Sequence, residues 1–270
     1  MKNIVGLAFS PRKLGNSEIA IKELVNRFPE KVNFELINIS NYNIKYCKAC
    51  YKCLYGEKCP LDDDFMDVFM KLVEADGLII AVPTYFLGPN SLFKLFIDRF
   101  LISYNYFNKI SDKPVILLTI AGVENGGDGY TDLALKSTAR VLDLKVVGSA
   151  VLYGALPGEV VLNEKNLNIL KELANKFFQE VSHELKEFNC NICGSNYFEF
   201  LDNNFVKCLV CKNKGKLIFE DGKINVYIEE GDLFFGSKEA KLKHREWLKG
   251  MKERFIKERK KLFEIIKKYK

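Results

Sequence analysis

Residues 3–17 read NIVGLAFSPRKLGNS. The run from Asn3 to Phe9 is apolar without alternation, the signature of a short strand buried on both faces. A polar loop with Pro11 and Gly15 ends it. Ile19, Ala20, Leu24 and Val25 then recur at helical spacing over residues 17–28. A strand that passes through a tight loop into a helix opens a βαβ unit, and the free N–H groups of the first helical turn face that loop. Such a loop suits an anion. Ser10, Asn16 and Ser17 supply short polar donors, Arg12 a charged fork, and Gly15 a close turn. The plainer alternative is an ordinary loop with a Ser or Asn helix cap. The pattern is neither a Walker A loop nor G-x-G-x-x-G, which argues against a nucleotide triphosphatase and a dinucleotide-binding domain.

Outward from this stretch, strands are expected at 32–39, 77–83, 114–120 and 145–153, with helices at 62–74, 90–101, 131–142 and 164–187. Five strands alternating with helices predict a doubly wound α/β domain on a five-stranded parallel sheet. The order 2-1-3-4-5 is the flavodoxin-like arrangement, with its ligand crevice at the strand carboxyl ends. A second segment falls at that crevice: Pro83-Thr84-Tyr85-Phe86-Leu87-Gly88, followed by Leu92, Lys94, Phe96, Asp98 and Arg99. An aromatic turn there can stack a flat ring, although Tyr85 and Phe86 alone would also serve as core aromatics. Gly122 to Tyr130 would be a mobile lip, or simply a glycine-rich surface loop.

The first loop resembles the G-S-P-R-x-x-G-N-S loop of the NADPH-dependent FMN reductase family, with Phe9 where that pattern has Gly. The second resembles the family's P-x-Y-aromatic segment followed by K-x-F-x-D-R, which lies against the flavin ring. The resemblance implies FMN held by Ser10, Arg12, Gly15, Asn16, Ser17, Pro83, Thr84, Tyr85, Phe86 and Gly88.

All eight cysteines fall in two quartets. Clustered cysteines in a chain that opens without secretory-signal features point to metal rather than disulfides. Cys47, Cys50, Cys53 and Cys59, followed by Pro60, can wrap one 4Fe-4S cluster, with Gly56 permitting the reversal toward the fourth thiolate. Structural zinc is the rival, but zinc sites usually pair two separated C-x2-C knuckles. This compact motif resembles that of the iron–sulfur flavoproteins, a branch of the FMN reductases, over about residues 1–185, including GALPGEV at 154–160. The resemblance implies a homo-oligomer and ferredoxin as electron donor. Asp62-Asp63-Asp64 reads as a helix cap with first-turn carboxylates rather than a metal site.

Cys190, Cys193, Cys208 and Cys211 form two C-x2-C pairs separated by fourteen residues, close to a zinc-ribbon pattern, with rubredoxin-type iron as the rival. Short strand-like runs follow within 190–230. Residues 238–270 carry eleven Lys and three Arg against five Glu, a net +9 that leaves −3 for the rest. Leu248, Met251, Phe255, Leu262, Ile266 and Tyr269 make one apolar stripe on that helix. The favoured reading is a solvated face packing on a partner; nucleic-acid binding is the rival. The expected division is 1–187 for the flavin domain with its cysteine loop at 44–60, 188–232 for a small four-cysteine β-ribbon module, and 233–270 for an amphipathic helix.

Only two histidines are present, neither in a catalytic setting, and no side chain stands out as a general acid or base. The cofactors would therefore carry the chemistry. The expectation is a cytoplasmic oxidoreductase, not membrane-bound, that moves electrons between 4Fe-4S and FMN. The alternatives are an NAD(P)H-dependent FMN or quinone reductase without a cluster, and a redox sensor that engages nucleic acid or protein through ribbon and tail.

Overall fold

The continuous apolar strands are satisfied by helices on both sides. In the computed structural model, which describes residues 1–179, 188–220, 222–231 and 237–269, strand β1 (Asn3–Ala8) lies inside a parallel sheet. It pairs with β2 (Asn33–Asn38) on one side and β3 (Gly77–Tyr85) on the other. Beyond β3 come β5 (Pro114–Ala121) and β6 (Lys145–Tyr153), giving the order β2-β1-β3-β5-β6. That is the expected 2-1-3-4-5 topology. The additional element is β4 (Gly88–Pro89), a two-residue strand folded back antiparallel onto the end of β3.

Each strand divides its side chains between two cores. Val5, Leu7, Leu78, Ile80, Val82, Val115 and Leu117 meet α2 (Phe65–Glu74), α3 (Ser91–Ile97) and α5 (Thr131–Val141) on one face. Ile4, Ala8, Ile79, Ala81, Ile116 and Leu118 meet α1 (Asn16–Asn26) and α6 (Glu164–Lys176) on the other. The first core is rich in phenylalanine: Phe9, Phe65, Phe69, Phe93 and Phe96 are all buried. This explains Phe9. Its ring makes edge contacts with Phe93 and Phe96 at 5.3 and 5.7 Å, so the side chain packs into the core beneath α3. Cutting Phe96 back to Ala would cost about 3–5 kcal/mol.

Two helices end sooner than their sequence pattern suggests. The expected 90–101 helix is α-helical only to Ile97; the chain then tightens into a 3₁₀ turn over Phe100–Asn105, ahead of the one-turn α4 (Phe107–Ile110). Helix α6 is assigned to Lys176, and residues 180–187 of the expected 164–187 helix lie outside the described residues. The proposed boundaries at 187/188 and 232/233 fall at or beside undescribed segments.

The second sheet is antiparallel, in the order β10-β9-β8-β7, with β7 (Phe198–Phe200), β8 (Phe205–Cys208), β9 (Lys214–Glu220) and β10 (Lys223–Ile228). Its core is small: Cys190, Val206, Cys208, Val210, Cys211 and Ile228, half of it cysteine. It meets the parallel-sheet domain at α5, where Tyr197 donates to Asp132 at 2.8 Å and Lys136 pairs with the same carboxylate at 2.7 Å. The chain finishes in α7 (Lys238–Lys267), capped by Ser237 accepting from the Ala240 N–H. No helix among the described residues is long and apolar enough to cross a membrane.

Candidate functional site

Three sites can be built from these elements. The first is a cleft of about 210 Å³ at the carboxyl ends of the strands, lined by Ser10, Arg12, Asn16, Ser17, Pro83, Thr84, Tyr85, Ile120, Gly122, Gly154 and Ala155. Its floor is the β1–α1 loop. Leu14 sits in the left-handed region with φ 53°, and its N–H is held by the Glu18 carboxylate at 3.1 Å. A Cβ on Gly15 would stand 2.6 Å from Ser10 Oγ and 3.1 Å from the Arg12 carbonyl, so only glycine leaves this turn closed. Ser17 is 1% exposed and, among the described residues, its hydroxyl has no hydrogen-bond partner. A buried, unpartnered hydroxyl in the first turn of an eleven-residue helix is the donor set a phosphate oxygen would complete. The cleft therefore fits a phosphorylated ligand such as FMN.

Seven of the ten residues expected to hold the flavin line this cleft; Gly15, Phe86 and Gly88 do not. Gly15 shapes the loop from behind. Gly88 lies under Tyr130, whose hydroxyl would be 2.4 Å from an added Cβ. Phe86 is fully exposed, and with Leu87 it forms the tip of the β3–β4 hairpin at φ 50° and 60°. Two successive left-handed residues are the geometry of a type I′ hairpin, normally an Asn-Gly preference, so Phe-Leu there is strained. Asn16 has a structural duty besides the one expected. Its amide donates to Gly154 O at 2.7 Å and accepts from Gly158 N at 2.9 Å, pinning the 154–160 loop beside the cleft. Arg12 also reaches that loop, donating to Ala155 O at 3.2 Å. The 122–130 loop is anchored rather than free-standing: Tyr130 N donates to Leu87 O at 2.8 Å. Ile120 was not legible as a site residue; only its place at the end of β5 marks it.

The second site is the loop between β2 and α2. Cys47, Cys50, Cys53 and Cys59 all line one cavity, together with Phe65, Arg99, Leu101 and Ile102. Ala49, Tyr51 and Gly56 have φ of 49°, 59° and 78°, so the backbone reverses repeatedly around the thiols. Two of these are not glycine, strain of the kind that collects at functional sites. Burial and then the neighbouring thiols Cys47, Cys50 and Cys59 push the Cys53 thiol up to about 11. Four thiols around one cavity form a donor set suited to a cationic metal group.

The aspartates clamp this loop shut. Asp64 occupies the cap position of α2, yet its carboxylate accepts from Asn43 N at 2.7 Å rather than from the helix. Asp63 accepts from Lys45 N at 2.8 Å and pairs with Arg99 at 2.6 Å, both side chains being no more than 3% exposed. Burial would raise the Asp63 carboxyl, but the Arg99 and Lys45 hydrogen bonds and the guanidinium charge outweigh it and leave it below the usual range. Asp63 Oδ1 also accepts from the Phe65 N–H at the start of α2 at 3.4 Å, so the expected capping is joined by a staple across the loop's mouth. Asn105 donates to Cys53 O at 2.7 Å from the far side. Helix α7 closes the outside: Tyr55 donates to Lys249 O at 3.0 Å, and Lys252 stands 4.4 Å over the Tyr55 ring.

The third site is the ribbon quartet. Among the described residues, Cys190, Cys193, Cys208 and Cys211 are the one Cys/His/Asp/Glu group whose ligand atoms all lie within 4.8 Å of one another. Sulfur separations are 3.7 Å for Cys190–Cys211 and 3.5 Å for Cys193–Cys208. A tetrahedron of bonds near 2.3 Å has edges of roughly 3.8 Å, so one metal ion fits. The two knuckles repeat each other. Gly194 N donates to Cys190 O at 2.8 Å with φ 70°, and Lys212 N to Cys208 O at 2.9 Å with φ 64°. Lys212 takes the left-handed place that Gly194 takes in the first knuckle.

The family model for NADPH-dependent FMN reductase matches residues 2–156. An iron-sulfur flavoprotein of Archaeoglobus fulgidus is 35% identical over 180 residues, covering 64% of this chain and 77% of its own. One from Methanocaldococcus jannaschii is 26% identical, covering 66% and 96%. Among solved structures, a flavone reductase superposes with a TM-score of 0.70 at 19% identity over 94% of this chain and 91% of its own, so its fold extends beyond the parallel-sheet domain. An NAD(P)H:quinone oxidoreductase from Methanothermobacter marburgensis gives 0.51 at 18% identity over 67% and 99%. A phosphate-ready cleft on a 2-1-3-4-5 sheet, beside a strained loop of four thiols, agrees with these matches: the chain belongs to the NADPH-dependent FMN reductase family and is an iron–sulfur flavoprotein of flavodoxin-like fold, an FMN-dependent oxidoreductase.

Proposed function

We propose that this oxidoreductase passes electrons between FMN in the β1–α1 cleft and a 4Fe-4S cluster on Cys47, Cys50, Cys53 and Cys59, while Cys190, Cys193, Cys208 and Cys211 hold a structural zinc ion. The observation that carries the reading is the contrast in sulfur spacing. The ribbon thiols meet at single-ion distances, whereas no three thiols of the first loop are mutually within 4.8 Å and all four instead ring a shared cavity. A cubane with iron at alternate corners, one thiolate to each iron, needs the wider arrangement.

The flavin supplies two-electron chemistry that can be divided into single steps, and the cluster carries one electron at a time. The chain's own residues bind and position. Ser10, Arg12 and Ser17 would take the phosphate, and Pro83, Thr84 and Tyr85 would flank the ring. Helix α3 links the two sites. Asn90, at its start, donates to the carbonyl of Phe9 beside the cleft, and Arg99, just past its end, donates to Cys59. The seven residues of this helix span about 10 Å. The family resemblance supports ferredoxin as donor and a homo-oligomeric assembly.

Anaerobic purification with iron, sulfide, zinc and flavin measured per chain tests this. The expected result is one flavin, one zinc and the iron and sulfide of one 4Fe-4S cluster. Flavin without iron or sulfide, together with rapid reduction by NADPH, would overturn it in favour of a cluster-free reductase.

A further inference from the structure

The K-x-F-x-D-R run after β4 ends in Arg99, which faces the thiol loop. Arg99 is 4% exposed, and both of its terminal nitrogens are engaged. Nη1 donates to Asp63 Oδ2 at 2.6 Å and to Lys45 O at 2.9 Å. Nη2 donates to Asp63 Oδ1 at 3.3 Å and to Cys59 Sγ at 3.3 Å. The guanidinium lies 4.4 Å over the Phe65 ring, which shields it from water. One planar fork therefore grips the entrance of the loop, its exit and one of its sulfurs. Lysine, a point donor on a flexible stem, has no such geometry.

Resting on the cluster reading above, we propose that Arg99 is a positioning residue that fixes Cys59 against the cluster and raises the cluster's reduction potential through a charge-assisted N–H···S bond. Each one-electron reduction, with an electrode as source, adds one negative charge to a group already carrying four thiolates and releases no atom. A donor aimed at a ligating sulfur stabilises the form with the extra charge, and hydrogen bonds to sulfur are among the main settings of iron–sulfur potentials. Asp63 neutralises the guanidinium at a distance, so the influence is local to Cys59. Among the described residues, the one other hydrogen bond to a sulfur of this loop is local, from the Ala49 N–H to Cys47 at 3.5 Å.

The test is an anaerobic redox titration of full-length protein, followed by the cluster's spin signal, in wild type, R99K and the charge-neutral pair R99Q/D63N. The double variant leaves no buried unpaired charge. We expect both to keep their flavin and to favour the oxidised cluster at least tenfold more than wild type, a shift of about 59 mV to lower potential. Assembly of flavin-loaded, folded variants with iron lost would equally support the positioning role. Unchanged potential with full iron content overturns the proposal while leaving the cluster reading intact, as does loss of the whole fold in both variants, which would make Arg99 merely structural. A wild-type protein without iron and sulfide sinks the cluster reading itself.

Discussion

The two cysteine quartets use the same donor atom to opposite ends. In the ribbon, two C-x2-C knuckles stand on antiparallel strands, share one backbone pattern and bring four sulfurs within 4.8 Å. In the first loop, three cysteines follow one another at x2 spacing, the backbone turns left-handed at Ala49, Tyr51 and Gly56, and the sulfurs surround a cavity. Paired knuckles close on a point; a serial wrap encloses a volume. The surroundings differ as well. Half of the ribbon's small core is cysteine, so a metal there would replace packing. The first loop leans on the phenylalanine core and is clamped by Arg99, Asp63 and Asn105, so it keeps its shape from the protein.

The largest effect that separates the quartets should come from C208S. Structural zinc sites contribute about 10–16 kcal/mol in small modules, so zinc content should fall to background and limited proteolysis should cut within 188–231 while flavin stays bound. A ribbon that remains resistant without zinc would break the comparison. C50A should act the other way. Cys50 is exposed, so its removal should abolish the visible absorbance of the cluster yet move fold stability by only about 0.5 kcal/mol, read by chemical denaturation with zinc retained. S17A addresses the cleft that uses no thiols. Removing a hydroxyl that bonds a charged phosphate costs roughly 1.5–3 kcal/mol, so FMN should bind at least tenfold more weakly in a fluorescence titration, with iron and zinc unchanged. The smallest expected effect is K212G. Relieving a left-handed lysine at φ 64° should stabilise the ribbon by about 1 kcal/mol, seen as slower zinc loss to a chelator.

Much of this was open to reading in the chain. The uninterrupted strand Ile4–Phe9 and its four counterparts announce a sheet covered on both faces, and the crossover rules then leave few orders. The cysteine spacings separate the two thiol sites because backbone reach is local. What spacing cannot convey is contact across the fold. Arg99 meets Cys59 forty residues away, and Asp63 serves that arginine as well as capping its helix. Asn16, read as a phosphate donor, is also tied to Gly154, 138 residues distant. The Phe86-Leu87 turn was hidden for another reason: these residues disfavour the left-handed region, and tertiary contacts with Tyr130 override the local preference.

Helix α7 rests on Tyr55, two residues from Cys53. Lys241, nearly buried, fastens the helix's first turns to Asp143 at the β6 edge, while Phe255, Ile266 and Tyr269 farther along stay exposed. The appended segment is thus a wall as well as an extension: it keeps water from one side of the thiol loop. Since wetting of a cluster is a lever on its potential, breaking the Lys241–Asp143 pair so that this helix lifts would register at the redox loop as a change in electron affinity.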